Sequence, residues 1–141
     1  MTRGKVTIGR LEHIALPGIG VDRVEAKIDT GARSGALHAE NIVIRGHIVH
    51  FTVPLDGRIH HCSLPVRGAR RIKSTSGHSQ HRLVVETTVA IGGHSYATEI
   101  TLTDRTDMGV PMLLGRVFLR GRFLVHSGRS FLLSKAKRQM S

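Results

Sequence analysis

Short apolar runs separated by turn residues repeat along most of the chain. In the clearest case apolar and polar residues alternate from Leu83 to Ile91, the pair Gly92-Gly93 follows, and the alternation resumes from Tyr96 to Thr103. Alternation with a period of two is typical of a strand with one buried face, and two glycines between such runs favour a tight turn. We therefore predict a β-hairpin, with Val85, Thr87, Val89 and Ile91 on one face of the first strand and Tyr96, Thr98, Ile100 and Leu102 on one face of the second.

The same pattern predicts the remaining elements. Strands are expected at Val6 to Leu16, at Val24 to Ile28, in a hairpin of Leu37 to Ile44 with Ile48 to Val53 around Arg45-Gly46-His47, and in a last hairpin of Phe123 to Val125 with Ser130 to Leu133. The apolar stretch Val110 to Leu114 ends at Gly115, after which Arg116 to Leu119 could form one or two helical turns. With no internal repeat and no linker, the chain is predicted to be one all-β domain over residues 1–133.

Two basic segments depart from this pattern. Residues 54–82 hold several glycines and many Arg, Lys and His side chains among few apolar ones, and we interpret them as a long mobile excursion. Residues 134–141 contain Lys135, Lys137 and Arg138 and are predicted to be a disordered basic tail.

Composition fits a small sheet protein. A length of 141 residues suits one domain, and a sequence with 4% aromatic residues and no Trp needs a core of Val, Ile, Leu and Ala. No apolar run is long enough to cross a bilayer or to act as a signal peptide, and the lone Cys62 has no partner for an internal disulfide. We therefore expect a soluble, cytoplasmic protein without a membrane partner.

The net charge is strongly positive. Lys and Arg number 21 against 10 Asp and Glu, which gives a formal charge of +11. Such a field attracts polyanions, so acidic polypeptide and nucleic acid are both admissible partners on charge alone. Charge does not choose between them.

The tripeptide Asp29-Thr30-Gly31 is the strongest candidate for chemistry. It follows the apolar run Val24 to Ile28 and opens a glycine-containing turn. A rigid strand end fixes the position of a carboxylate, and the N–H groups of a turn can hydrogen-bond it, as aspartic peptidases require. Taken alone, the tripeptide could equally be an Asp that caps a turn.

Longer strings of residues decide between these interpretations. They are Ala26-Lys27-Ile28-Asp29-Thr30-Gly31-Ala32-Arg33-Ser34-Gly35-Ala36-Leu37-His38-Ala39, Glu86-Thr87-Thr88-Val89, Leu102-Thr103-Asp104-Arg105, Met108, Pro111-Met112-Leu113-Leu114-Gly115-Arg116 and Arg122-Phe123-Leu124-Val125. Together they resemble the RimB family of retropepsin-like bacterial proteins, often described as ATP-dependent zinc proteases. The resemblance runs from about Leu16 to Leu133.

This resemblance implies a small closed retropepsin-like β-barrel, with one short helix near the C-terminus, that works as a homodimer. The chain has one Asp-Thr-Gly, and a water-activating pair needs two carboxylates, so each copy would contribute Asp29 at a two-fold axis. The catalytic set would be Asp29, Thr30 and Gly31, with the Thr30 hydroxyl bracing the two turns across the axis. The implied activity is that of an aspartic endopeptidase that needs no cofactor.

Basic residues near this site suggest an acidic substrate. Many retropepsins carry an acidic residue four places after the catalytic Asp, where this chain has Arg33, as the RimB family does. The basic excursion would lie where retropepsins have their flap, and a guanidinium there could hold a glutamate side chain. The expected substrate-binding residues are Arg33, Arg67, Arg70, Arg71 and Lys73, and the expected substrate is the glutamate tail of a ribosomal protein.

One position departs from the family pattern. The family often has Asp-Pro after the residue matching Val125, and this chain has His126-Ser127. This chain therefore lacks the acid that the family often has at this position.

Metal and nucleotide sites have weaker support. Ten histidines include His60 and His61 beside Cys62 and the pair His78 and His81, but His-Glu-x-x-His and Cys-x-x-Cys spacings are missing, so we predict no metal site. A phosphate-binding Gly-x-x-x-x-Gly-Lys-Ser/Thr is also missing, which leaves ATP without support. Cys62 is interpreted as a packing residue rather than a nucleophile.

The alternative function belongs to another class. A basic β-barrel that only binds ribosome, RNA or acidic polypeptide would account for the charge, the basic excursion and the tail. It would not account for Asp29-Thr30-Gly31 and Leu113-Leu114-Gly115 occurring in that order.

Overall fold

The computed structural model describes residues 5–73, 79–104 and 109–134, with the side chains at positions 73, 79 and 80 left out. The strands are β1 (Val6–Gly9), β2 (Leu11–Leu16), β3 (Val21–Ile28), β4 (Gly35–His38), β5 (Glu40–Arg45), β6 (Ile48–Leu55), β7 (Arg58–Lys73), β8 (Ser79–Ile91), β9 (His94–Thr103), β10 (Met112–Leu114) and β11 (Phe123–His126). Pro17–Ile19 forms a 3₁₀ turn, and Arg116–Leu119 forms the short helix α1. The side chain of Lys73, together with Arg105, Met108, His78 and residues 135–141, lies outside the described part, so the predictions on them stay predictions.

Six strands close into a barrel in the order β2, β3, β10, β4, β9, β8, with β8 returning to β2 at Ala90 and Ala15. Its interior is filled by aliphatic side chains that are almost fully buried, among them Ile14, Leu16, Val24, Ala26, Leu37, Val85, Val89, Ile100, Leu102, Met112 and Leu114. Burying one such Val, Leu or Ile contributes roughly 1.5–3 kcal/mol. The prediction of an all-β closed barrel with one short helix near the C-terminus is confirmed.

The hairpin predicted from alternation is the longest antiparallel ladder of this barrel. β8 and β9 pair with Val85 opposite Ile100, Thr87 opposite Thr98 and Val89 opposite Tyr96. The residues predicted to share one face of β8 are all buried, and on β9 only Tyr96 is partly exposed. The hydrophobic pattern alone was therefore enough to set both the pairing and the inward face.

Residues 54–82, predicted to be a long mobile excursion, are mostly β-strand where the structure describes them. They contain the end of β6, all of β7 and the start of β8, and β7 pairs with β6 along its first half and with β8 along its second. A register shift between Val66 and Gly68 separates the two halves. Because β7 has polar side chains on both faces, its sequence lacks the alternation of apolar and polar residues from which the other strands were predicted. β7, β6 and β5 thus extend the sheet beyond the barrel.

The predicted last hairpin is wrong. β11 pairs in parallel with β1, from Val6 opposite Phe123 to Gly9 opposite His126. The backbone after β11 instead covers Glu12, a fully buried carboxylate on β2. Glu12 accepts hydrogen bonds from the N–H groups of Gly9 (2.7 Å) and Ser134 (2.9 Å), and from the Ser134 hydroxyl (2.7 Å). The N–H groups of Leu132 and Leu133 also donate to it, at 3.1 and 3.2 Å.

A buried carboxylate needs such donors, because desolvation of an unpaired charge is very costly. Burial raises the pKa of Glu12, but the hydrogen bonds from Gly9, Ser134 and Leu133 outweigh it and hold that pKa below its usual value. Glu12 therefore fixes the path of residues 131–134 and takes the N–H groups that a hairpin would have used.

No helix within the described ranges is both long enough and apolar enough to cross a membrane.

Candidate active site

The position of Asp29 is set by three neighbouring strands. β10 lies between β3 and β4, parallel to β3 with Leu114 opposite Ile28, and antiparallel to β4 with Leu113 opposite Ala36. The backbone N–H of Asp29 continues the first ladder and donates to the Leu114 carbonyl at 2.9 Å. The half-buried Asp29 therefore begins the turn at a point held rigidly by the barrel.

Hydrogen bonds inside the turn orient the Asp29 carboxylate. Its Oδ1 accepts the backbone N–H of Gly31 at 2.9 Å, and its carbonyl oxygen accepts the N–H of Ala32 at 3.2 Å. Thr30 and Gly31 are exposed, so the tip of the turn faces out of this chain. An oriented carboxylate at an exposed turn is able to meet a second group from outside the chain.

The segment from Gly115 into α1 clamps the far side of this turn. The backbone N–H groups of Arg116 and Val117 donate to the carbonyl oxygens of Ala32 and Arg33, both at 2.9 Å. The Arg116 guanidinium also donates through Nη1 to the Thr30 carbonyl at 3.0 Å.

The glycine at position 115 is required by this close approach. A Cβ on Gly115 would lie 2.6 Å from the Ala32 carbonyl oxygen and 2.9 Å from the Arg33 carbonyl carbon, both backbone atoms. Contacts this short do not occur without displacement of the backbone. The Gly-Arg pair therefore supports the Asp29 turn, although the two segments lie far apart in the sequence.

The hairpin of β7 and β8 is tied to the same turn by Arg70. Its Nη1 donates to the Ser34 hydroxyl, and its Nη2 contacts Glu99 Oε1 on β9 at 3.1 Å. Arg70 of the basic segment thus contacts a residue that follows the turn, but its guanidinium is already paired with a carboxylate.

The other arginines predicted to bind substrate differ from one another. Arg67 contacts Glu86 at 3.0 Å, on the neighbouring strand β8, and so is also paired. Arg71 is exposed, with no ion pair to any residue that the structure describes. Arg33 is exposed at the end of the turn, where it borders a pocket.

This pocket was not predicted from the sequence. It has a volume of about 480 Å³ and is lined by Arg33, Arg116, Val117 and Arg120. Arg116 was noted before only as part of a family pattern, and Arg120 was not singled out. Their spacing of four residues places both on one face of a helical turn, which is the signal that could have found them.

Residues able to hold a metal lie away from the histidines considered from the sequence. Among the residues that the structure describes, His38, Glu40 and Asp104 bring ligand atoms within 4.8 Å of one another. His38 Nε2 and Glu40 Oε2 are 2.9 Å apart, so these two already form a hydrogen-bonded pair. His60, His61, Cys62 and His81 belong to no such group within the described ranges.

Cys62 does not have the surroundings of a nucleophile. Burial raises the pKa of the Cys62 thiol, which disfavours the thiolate that a nucleophile requires. His126 ends β11, and its Nδ1 accepts the N–H of Gly128 at 3.1 Å, so it closes its own turn.

The closed barrel, the strand-end Asp-Thr-Gly turn and the Gly-Arg segment that clamps it define the retropepsin-like class. A family model described as the retropepsin-like aspartic endopeptidase RimB matches residues 7–136. The chain belongs to this RimB-like family.

Relatives with curated names are longer proteins. A probable alpha-L-glutamate ligase of Shewanella halifaxensis is 36% identical over 96% of this chain, and one of Parasynechococcus marenigrum is 38% identical over 89%. The matched regions are 31% and 28% of those proteins, so the chain spans less than a third of their length.

A solved structure supports the same fold. A Legionella pneumophila protein of unknown function superimposes with a TM-score of 0.78 at 27% identity, covering 92% of this chain and 99% of that one.

Proposed function

We propose that the protein is an aspartic endopeptidase that acts as a homodimer on an acidic polypeptide. The observation that carries the proposal is the geometry of Asp29, whose carboxylate is oriented by the Gly31 N–H at the exposed end of a clamped turn. Family membership supports the reaction class. A single Asp-Thr-Gly in the chain supports the dimer, because the chemistry needs two carboxylates.

In the proposed reaction the two Asp29 carboxylates meet at the two-fold axis and share one proton, since like charges so close cannot both be ionised. The ionised carboxylate accepts a proton from water as the water oxygen attacks the scissile carbonyl carbon. The protonated one donates to the carbonyl oxygen. The tetrahedral intermediate then collapses: the C–N bond breaks, the nitrogen takes a proton, and an acid and an amine are released.

Three observations support an acidic substrate. The formal charge is +11, and Arg33 lies four residues after Asp29. The curated relatives are named as probable glutamate ligases, so glutamate chemistry accompanies this domain in longer proteins. We therefore propose a glutamate-rich segment as substrate, such as a glutamate tail on a ribosomal protein. That substrate would place the protein in the cytoplasm, where the unpaired Cys62 stays reduced.

A second candidate is a non-catalytic module that binds acidic polypeptide, RNA or ribosome through its charge. The curated relatives are named as ligases and not as peptidases, and the formal charge of +11 supports binding of a polyanion. In such a module Asp29 would be a structural turn residue, and binding would weaken steeply with salt without any cleavage.

The deciding experiment incubates the protein, Asp29→Ala and Asp29→Asn with a peptide ending in several glutamates near neutral pH, with and without a chelator. We expect only the wild type to shorten the peptide, whether or not the chelator is present. Sedimentation under the same conditions should detect a dimer, and specific activity should fall on dilution. Undiminished cleavage by a monomer, or by Asp29→Asn, would disprove a mechanism in which two chains each contribute an Asp29 carboxylate.

A further inference from the structure

Three guanidinium groups share one pocket beside the Asp29 turn. Arg33 belongs to the turn itself, and Arg116 and Arg120 belong to or follow α1. With Val117 they line a space of about 480 Å³, large enough for an amino-acid side chain. The Val117 side chain, 39% exposed, is the apolar part of the lining.

These arginines differ electrostatically from Arg67 and Arg70 of the β7–β8 hairpin. Arg67 and Arg70 are neutralised by Glu86 and Glu99 at 3.0 and 3.1 Å. Arg33, Arg116 and Arg120 have no carboxylate within ion-pair distance among the residues that the structure describes. The pocket therefore offers unpaired positive charge beside the turn.

Arg116 keeps donors for a ligand. A guanidinium carries five N–H donors in a planar fork, and the contact with the Thr30 carbonyl uses Nη1 alone. The side chains of Arg33 and Arg120 make no hydrogen bond to another described residue. Several donors can thus converge on one anion.

We propose that this pocket is the subsite that selects an acidic substrate, binding the side-chain carboxylate of a glutamate next to the scissile bond. The inference rests on the proposed function and assigns its specificity to Arg33, Arg116 and Arg120 in place of the paired Arg67 and Arg70. Guanidinium forks pair with a carboxylate in bidentate geometry. The methyl groups of Val117 contact the two methylenes of the glutamate side chain.

The lining favours a carboxylate over nucleic acid. Single-stranded nucleic acid is held by aromatic side chains on which bases stack, and the four lining residues include none. An RNA phosphate would use the same guanidinium groups but would gain nothing from Val117. A glutamate side chain uses both parts of the pocket.

Arg120 is the best position for a test, because its exposed side chain does not hold the turn. Binding of fluorescent hexaglutamate and hexaglutamine peptides is measured by anisotropy on the inactive Asp29→Asn protein, alone and with Arg120→Ala added. We expect Arg120→Ala to weaken hexaglutamate about tenfold, as for loss of one charge-assisted hydrogen bond, and to leave hexaglutamine unchanged. The affinity of the Arg120→Lys protein for hexaglutamate should lie between those of the proteins with Arg120 and with Arg120→Ala.

The matched control is Arg45→Ala, which removes the same charge from an exposed position at the end of β5. An equal loss of hexaglutamate binding in the control would overturn the subsite, because net charge would then explain the effect. An RNA hexanucleotide that depends on Arg120 more than hexaglutamate does would overturn it as well.

A kinetic arm separates this inference from the proposed function. With active protein, Arg120→Ala should lower kcat/KM for a glutamate peptide about tenfold more than for a glutamine counterpart, while Arg45→Ala changes neither. If nothing is cleaved but hexaglutamate binding depends on Arg120, the peptidase proposal fails and the carboxylate pocket stands. If peptides are cleaved with Asp29 dependence and Arg120→Ala changes no preference, the pocket fails and the peptidase stands.

Discussion

The Arg116 guanidinium donates a hydrogen bond of 3.0 Å to the Thr30 carbonyl oxygen, across 86 positions of sequence. The contact joins the start of α1 to the middle residue of the Asp29-Thr30-Gly31 turn. An arginine at position 116 thus supports the geometry of the candidate catalytic turn and also borders the pocket beside it.

Replacing Arg116 with lysine tests the first of these roles. Arg116→Lys keeps the charge but loses the planar fork, so we expect a loss of about 1 kcal/mol in unfolding free energy from the weakened hydrogen bond. We expect kcat to fall more than this loss of stability would account for, because the turn holds Asp29. Urea unfolding and steady-state kinetics measure the two effects. Arg45→Lys, an exposed change on β5, should alter neither.

Gly115→Ala tests the close approach of the two segments. The new Cβ would lie 2.6 and 2.9 Å from backbone atoms of Ala32 and Arg33, so the turn must move. We expect a destabilisation of about 1 to 3 kcal/mol, as for overpacking of a core, and loss of most peptidase activity.

Gly128→Ala is the matched control, since the nearest atom there, at 3.3 Å, belongs to the His126 side chain. An equal change in the thermal unfolding temperature of both variants would contradict the requirement for glycine at position 115.

Glu12→Gln tests the buried carboxylate and has a defined pH dependence. The amide keeps the shape but cannot accept hydrogen bonds from all five donors. We therefore expect the free energy of unfolding to fall by about 2 to 4 kcal/mol at pH 7. The folded-state pKa of Glu12 lies below its unfolded value. The ionised carboxylate therefore stabilises the fold fully above about pH 4 to 5, and this contribution is lost as pH falls through the folded pKa.

The difference in unfolding free energy between wild type and Glu12→Gln should accordingly shrink from pH 7 to pH 3. Urea unfolding at both pH values measures it, with Asp22→Asn, an exposed acid on β3, as control. A difference that stayed constant with pH would rule out the charge as its source.

Arg70→Ala tests the tie between the hairpin and the turn. Removing the guanidinium leaves Ser34 and Glu99 without this partner. We expect the free energy of unfolding to fall by about 1 kcal/mol and proteolysis of the hairpin to become faster. Arg67→Ala removes an exposed pair with Glu86, which is worth about 0 to 1 kcal/mol, and should leave the hairpin protected. Equal proteolysis of the two variants would argue against the tie.

Local pattern was enough to predict the strands that alternate cleanly. β8, β9 and the turn between them follow from period two and Gly92-Gly93, and α1 occupies the predicted Arg116–Leu119. Each of these elements is decided by residues that are neighbours in sequence. The Asp29 turn was found for the same reason, since its strand and its glycine are adjacent to it.

What the sequence did not reveal depends on distant partners. β7 has polar side chains on both faces and is a strand because β6 and β8 pair with it. The path of residues 131–134 depends on Glu12, which looked like any polar residue of an alternating strand. Arg120 is notable only because folding brings it to Arg33. Periodicity within one segment contains no information on such contacts.

The buried Glu12 also has a consequence for the order in which the chain folds. Its donors at Leu132, Leu133 and Ser134 are at least 120 positions further along the chain. The pairing of β1 with β11 spans a similar separation in sequence. During synthesis the first strands therefore leave the ribosome with a carboxylate that has the Gly9 N–H as a donor but lacks its other four donors. Long-range closures of this kind slow folding. The fold around the barrel is thus completed late, by the segment that is translated last among those described.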